Sequence, residues 1–416
     1  MWLYHAIFLL TSILLVTSNH VPSYHSVHSL LGSVANPAHS RAASAAGLAA
    51  SQKAYIESNI EESYRRDNES IARLTEKYKG RVVHCQIPAF PRCDVYLVGT
   101  LHVAKRSSQM VNETITALQP HYTVVELCGE RRDAILNVVA DEEEEVLTFR
   151  GIVRTATQDR SFLSFGTGTY QYPSTPCILP VYPPCAHCPI PISLSLPLPL
   201  QGLLAWMQQK ASRATNSKLG NELFVAAKAS YQVSAIVVLG DRLYPVTMQR
   251  CLERLNFMEK TKFVAMLLFE VFSMTARSIK DYVSKSEGNE DFLLQQMESF
   301  EKHLPKFAEV IIHERDEYLA QTVYEIARNG FRGYEYGGIG TPFRGKIVVV
   351  VGAAHLKGIQ KWLAQNGTTQ ERMLEISTSG KDTEATWPGP GKYCDARVDL
   401  LFYDPSKPQP TRKRLF

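Results

Sequence analysis

The chain has 416 residues, 45% of them hydrophobic and 21% charged, so it is large enough for a sizeable core. That balance excludes a wholly disordered, collagen-like or polytopic membrane protein. The formal charge of +4 is small for the length and gives no mandate for nucleic acid, and eight cysteines are too few for a disulfide scaffold.

The elements read as follows in chain order. Ala6 to Val16 (AIFLLTSILLV) is an apolar run followed by small residues. It reads as a signal peptide or short membrane anchor over 1–18 and is too short for a spanning helix. Residues 19–80 read as a flexible Ser/Ala/His linker leading into a charged helix over 53–79. Strand-like runs at 81–86 and 94–98, a helical period at 107–118 and another strand at 121–127 suggest a βαβ unit. The proline-rich stretch 151–200 reads as an irregular, disordered insertion. Residues 201–330 read as mostly helical, with Phe263–Met274 apolar enough for a buried or membrane-surface helix. KIVVVV at 346–351 reads as a buried strand, and 397–403 as a further one in a tail over 379–416. The fold expectation is α/β: a mainly parallel central sheet with flanking helices, a helical half and the insertion, the domain spanning 81–378.

The chemistry concentrates at a matched pair. Val95–Val98 leads into Gly99-Thr100-Leu101-His102, and Val348–Val351 leads into Gly352-Ala353-Ala354-His355. About 0.7 Gly-x-x-His matches would arise by chance in this composition, so two, each after an apolar strand, carry weight. Ligands of open α/β sheets sit at strand carboxyl ends, where glycine permits a sharp turn. Glu126, after Val124-Val125, is a third strand-end group. Two His and one Glu suit zinc or another divalent ion with an open position. The competing reading pairs Glu126 with Arg131 or Arg242 and leaves the histidines to cap turns. Asp241-Arg242 with Thr247 and Arg250, and His313-Glu314-Arg315-Asp316, are further polar clusters. They read either as a clamp for an anionic group or as buried ion pairs. Glu222, near a helix start, reads as an inward carboxylate or a surface residue.

VYLVGTLH, VVELCGERR, LGDRLYPVT, HERDEYLA and VVVGAAHLKGI, in that order, resemble the TraB family (TraB/PrgY/GumN) over about 93–362. The resemblance implies an EreA/ChaN-like α/β fold. The similar Tiki proteins are metal-dependent proteases; PrgY members reduce peptide-pheromone activity, and plant relatives are associated with organelle membrane contacts. By that match His102, Glu126 and His355 are candidate metal ligands. Gly99, Arg131, Glu222, Asp241, Arg242, Thr247, Glu314, Arg315 and Gly352 are family-signature positions. Phe224 stands where the family pattern leads us to expect Arg, and the tail has no apolar membrane segment of the kind many relatives carry.

The resulting expectation is a metal-dependent hydrolase, a peptidase acting on peptide or protein substrates. Zinc, manganese or cobalt would be held by His102, Glu126 and His355. Glu314 would act as base, and Arg242 or Arg315 would stabilise an oxyanion. The alternatives are a membrane tether and a peptide-sequestering module. Membrane association, in the secretory pathway or on an organelle outer membrane, is expected, with secretion as the alternative and no nucleic-acid partner. Cys185-x-x-Cys188 and sequons at Asn68, Asn112 and Asn366 are too common as patterns to assign a role.

Overall fold

The computed structural model describes residues 50–102, 104–128, 198–217, 220–331 and 344–378. The expectations for residues 1–18, most of 151–200, Arg131, Cys185-x-x-Cys188 and 397–403 lie outside the described residues.

Helix α1 (Ala50–Lys77) precedes a hairpin of β1 (Val82–Ile87) and β2 (Phe90–Thr100). Next come α2 (Lys105–Leu118) and β3 (Tyr122–Val125). Helices α3 (Leu198–Thr215) and α4 (Asn221–Gln232) lead to β4 (Ile236–Leu239). A helical run follows: α5 (Tyr244–Arg254), α6 (Phe257–Ser273), α7 (Ala276–Gly288), α8 (Glu290–His303) and α9 (Pro305–Ala308). A π-helical turn, Glu309–His313, joins α9 to α10 (Glu314–Glu325), which ends in a second π turn, Ile326–Gly330. Strand β5 (Gly345–Gly352), α11 (Leu356–Ala364) and α12 (Gln370–Ser377) complete the set.

The sheet order is β1-β2-β5-β3-β4. Only β1–β2 is antiparallel; β2–β5, β5–β3 and β3–β4 are parallel. The expected α/β architecture is present, including the βαβ unit: β2, α2 and β3, both strands parallel to β5 between them, while β1 adds an antiparallel hairpin strand. The stretch read as helical contains β4, whose four residues IVVL are too short to display a strand period between two helices.

Strand β5 is central, with Ile347 through Val351 fully buried. Alternation sends Val348 and Val350 toward α2 and α4, and Ile347, Val349 and Val351 toward α10 and α11. Each such valine contributes roughly 1.5–3 kcal/mol of apolar burial. A third apolar cluster lies in the helical half, built from α3, α5 to α9 and the first π turn. Phe263 of α6 stacks on Phe307 there, at 4.6 Å between centroids. Among the described residues no helix is long and apolar enough to cross a membrane.

Candidate active site

Four parallel strands end side by side, and each ends in a polar group. Strand β2 delivers His102, β5 delivers His355, β3 delivers Glu126, and β4 delivers Asp241. The register aligns Gly99 with Val351 and Thr100 with Gly352, so the two Gly-x-x-His turns start within one residue of each other. Glu126 N–H donates to Val350 O (3.1 Å), and Asp241 N–H donates to Leu127 O (3.0 Å), which extends the pairing past the strand ends.

The three candidate ligands converge on Gly352. A Cβ placed there would lie 3.2 Å from His102 Nε2, 3.4 Å from Glu126 Oε2 and 3.6 Å from His355 Cδ2. Glycine therefore keeps the centre of the site open. Gly99 serves packing instead: a Cβ there would strike Leu356 at 2.5 Å.

Each imidazole is seated on its own carboxylate. His102 Nδ1 lies 2.6 Å from Glu222 Oε1, and His355 Nδ1 lies 2.6 Å from Asp316 Oδ1. Glu222 is thus inward, in the first turn of α4, where Gly220 takes a left-handed φ of 74° just before it. Donation from Nδ1–H to a carboxylate leaves Nε2 as the inward-facing nitrogen of each ring. Asp316 was named in the sequence cluster but given no role; it is the residue that orients His355.

Arg315 closes the far side. Its guanidinium donates to Asp241 through Nε (3.1 Å) and Nη2 (2.8 Å), and Nη2 also donates to Glu126 Oε1. Nη1 stands 3.3 Å from His355 Nε2. The backbone N–H of Gly352 donates to Glu126 Oε2 (2.6 Å). Among the described residues Glu126 thus pairs with Arg315 and not with Arg242, while Arg131 lies outside them.

Among the described residues Glu126, Glu222, Asp241 and Asp316, all buried, meet the guanidinium of Arg315 and the rings of His102 and His355. Buried carboxylates are costly without positive partners, which favours charge on the two rings. Burial opposes protonation of His102, but Glu222 and Glu126 prevail and raise its pKa. Burial likewise opposes it at His355, yet Glu126 and Asp316 push that ring up to about 9. Burial disfavours the Glu126 charge, and His355 with Arg315 still hold that carboxyl well below its usual range.

Glu314 and Arg242 belong to a different cluster, which corrects two expectations. Glu314 is wholly buried, with Oε2 on Arg242 Nη1 (2.6 Å) and Arg250 Nε (2.8 Å), and Oε1 on Arg250 Nη2 (2.7 Å). A carboxylate held by two guanidiniums is a weak base. Arg242 also donates to Thr247 Oγ1 (2.9 Å), Ile376 O (2.8 Å) and Val310 O (3.1 Å), which commits four of its five N–H groups away from the histidines. These residues brace β4 and α10 against the end of α12. His313 is half-exposed beside Glu301 (3.3 Å) and does not reach the site. Phe224 packs against the core on the α2–α4 side of the sheet.

The donor set fits a divalent cation in its chemistry. Two imidazoles meet here with carboxylate-backed Nδ1 atoms, as in histidines that ligate metals. It is not a preformed shell: among the described residues no three His, Cys, Asp or Glu groups already stand as a ligand set. Glu126 is held by Arg315 and Gly352, so it would have to share those bonds with an ion.

The sequence profile of the TraB/PrgY/gumN family matches residues 205–372. An uncharacterised protein of Methanocaldococcus jannaschii is 23% identical over 290 residues, covering 68% of this chain and 56% of that one. Proteins named TraB domain-containing protein from Mus musculus and Homo sapiens are each 26% identical over 296 residues. Over residues 205–372 the chain is similar to the TraB/PrgY/gumN family. It spans 56% to 65% of the length of these relatives. The TraB-matched span contains Glu222, Asp241, Arg315, Asp316 and His355; His102 and Glu126 lie before it and join it through the sheet.

Proposed function

We propose that the chain is a metal-dependent hydrolase, with peptides as its substrate class. The observation that carries this reading is the pair of imidazoles flanking Gly352, each ring backed by a carboxylate at 2.6 Å. His102 and His355 would hold the ion, with Glu126 as the third donor. Bound there, a zinc, manganese or cobalt ion would supply Lewis acidity toward a carbonyl and the water that attacks it.

The chain's own residues would do the rest. Glu222 and Asp316 fix the ring tautomers and orientations. Arg315 neutralises Glu126 and Asp241 and holds them in place. Glu126 serves as a donor and not as a base, since Arg315 and the Gly352 N–H hold its carboxyl well below the usual range.

A second reading needs no metal. Arg315 Nη1 at 3.3 Å from His355 Nε2 already places a cation against that ring, which favours general acid–base work by two His–carboxylate pairs, or peptide capture without cleavage. Metal stoichiometry of the purified full chain separates the readings. The first expects about one divalent ion per chain, lost in the His102→Ala/His355→Ala double variant. A folded wild-type protein that takes up no ion after reconstitution with zinc, manganese or cobalt would favour the second.

A further inference from the structure

The two Gly-x-x-His turns enter their helices differently. After β5 the chain passes straight into a 3-10 turn, Ala353–His355, and then into α11, so His355 is carried by helical backbone. After β2, Leu101 and His102 belong to neither strand nor helix, and α2 begins only at Lys105. Their turn is closed by Ala104 N–H donating to Leu101 O (2.9 Å). Ala104 is also the N-cap of α2 and makes no side-chain cap. A ring carried on such a stretch needs side chains from elsewhere to fix the backbone beneath it.

Two adjacent serines of α2 supply them. Ser107, the third residue of the helix, is buried, and its hydroxyl both accepts the Leu101 N–H (2.8 Å) and donates to Leu101 O (3.0 Å). A hydroxyl has one donor and two acceptor sites, so one side chain binds both backbone groups of the residue before His102. The third helical position is the one from which a side chain reaches back to the incoming chain, as in a capping box. Ser108, half-buried, accepts from Asn221 Nδ2 at 2.8 Å. Asn221 opens α4 and precedes Glu222, whose Oε1 lies 2.6 Å from His102 Nδ1. The links close a circuit: His102, Leu101, Ser107, Ser108, Asn221, Glu222 and back to His102. Both halves of the His102–Glu222 pair, 120 residues apart in the chain, are therefore referenced to one turn of α2. His355 lies outside this circuit, seated on Asp316 of α10.

We propose that Ser107 and Ser108 are positioning residues of the His102–Glu222 pair, Ser107 acting through the Leu101 backbone and Ser108 through Asn221. The proposal rests on the reading of His102 as a working group of the candidate site, and it holds with or without a metal there.

The test is NMR of the purified full chain carrying isotope-labelled histidine, reading the imidazole Nδ1–H signals at neutral pH. The His102 and His355 signals are assigned by their loss in His102→Gln and His355→Gln. Three variants are compared with wild type: Ser107→Ala, Ser108→Ala and Ser108→Thr, with thermal melting to confirm folding. The expected result is exchange of the His102 Nδ1 proton with water that is about three- to tenfold faster in both Ala variants, the effect of losing one hydrogen bond. The His355 proton should be unchanged, and Ser108→Thr, which keeps the hydroxyl, should behave as wild type. Ser108 is only half-buried, so Ser108→Ala remains decisive even if Ser107→Ala does not fold. An unchanged His102 signal in a folded Ala variant would overturn the proposal. So would equal losses at His102 and His355, the mark of general loosening, or a wild type with no His102 Nδ1–H signal, in which Glu222 does not seat the ring. Zinc titration of the same samples keeps the two readings apart: a wild type that takes up no zinc defeats the metal reading alone.

Discussion

His355 turns its Nδ1 onto Asp316 at 2.6 Å while its Nε2 faces Glu126, 3.5 Å away. The ring is therefore fixed between two carboxylates from different elements, one on α10 and one at the end of β3. If Asp316 is what orients the ring, Asp316→Asn keeps the shape and the acceptor but loses the charge. Zinc affinity measured by calorimetry should fall by about 10–100-fold, the usual effect of losing a ligand's supporting partner. An unchanged affinity in a folded variant would remove Asp316 from the site.

Asp316 in turn depends on a glycine. A Cβ at Gly358 of α11 would sit 1.9 Å from Asp316 Oδ2 and 2.4 Å from its Cγ, so α11 can approach α10 here only without a side chain. Gly358→Ala must displace the carboxylate that holds His355. The expected cost is about 1–3 kcal/mol in denaturant unfolding, as for an overpacked core. Adding Asp316→Ala removes the opposing group, so the two effects should combine to clearly less than their sum. Simple additivity would show that the glycine and the aspartate do not compete for the same space.

These contacts explain which parts of the site could be read in the sequence. The Gly-x-x-His turns and Glu126 follow apolar runs, and strand-end position is a local property. The turns and the convergence of their imidazoles on one crevice were legible. The choice among Glu314, Arg315 and Asp316 was not, because it depends on helix phase. The π turn Glu309–His313 shifts that phase, and the three consecutive residues are all buried. Glu314 goes to Arg242 and Arg250, Arg315 to Glu126 and Asp241, Asp316 to His355. The pairing of Glu126 with Arg315 spans 189 residues, and no spacing rule reaches that far. Glu222 could be read as inward or outward because only the packing of α4 against α2 and the sheet decides it.

Glu314 should behave as a brace rather than a catalytic group. Glu314→Gln leaves Arg242 and Arg250 facing a neutral amide in a buried position. Breaking such a pair costs about 3–5 kcal/mol. Burial opposes the Glu314 charge, yet hydrogen bonds and attraction from Arg250 and Arg242 lower its pKa below 4.5. A depressed carboxyl pKa stabilises the fold above the unfolded value and loses that contribution as pH falls through the folded one. The stability gap between wild type and Glu314→Gln should therefore be full at neutral pH and shrink below about pH 4.5. A gap that widens on acidification would contradict this assignment.

A second pH effect lies at the opposite end of the sheet. His121 precedes β3, and its Nδ1 accepts the Lys346 backbone N–H at 3.1 Å. Protonation would place a hydrogen on the nitrogen that must accept that bond. Burial, followed by the positive charge of Lys346, lowers the ring to about 4, against 6.5 in an open chain. Between those values the unfolded chain binds a proton that the folded one refuses, so stability must fall as pH drops from about 6.5 to 4. The loss is of the order of 1–3 kcal/mol, given the partial burial of the ring. Urea unfolding of His121→Gln should show a shallower slope across this window, by about one proton at its steepest point. Because His121 lies far along the sheet from His102 and His355, the variant should bind zinc as wild type does. That separates the stability of the sheet's amino-terminal end from the chemistry at its carboxyl end.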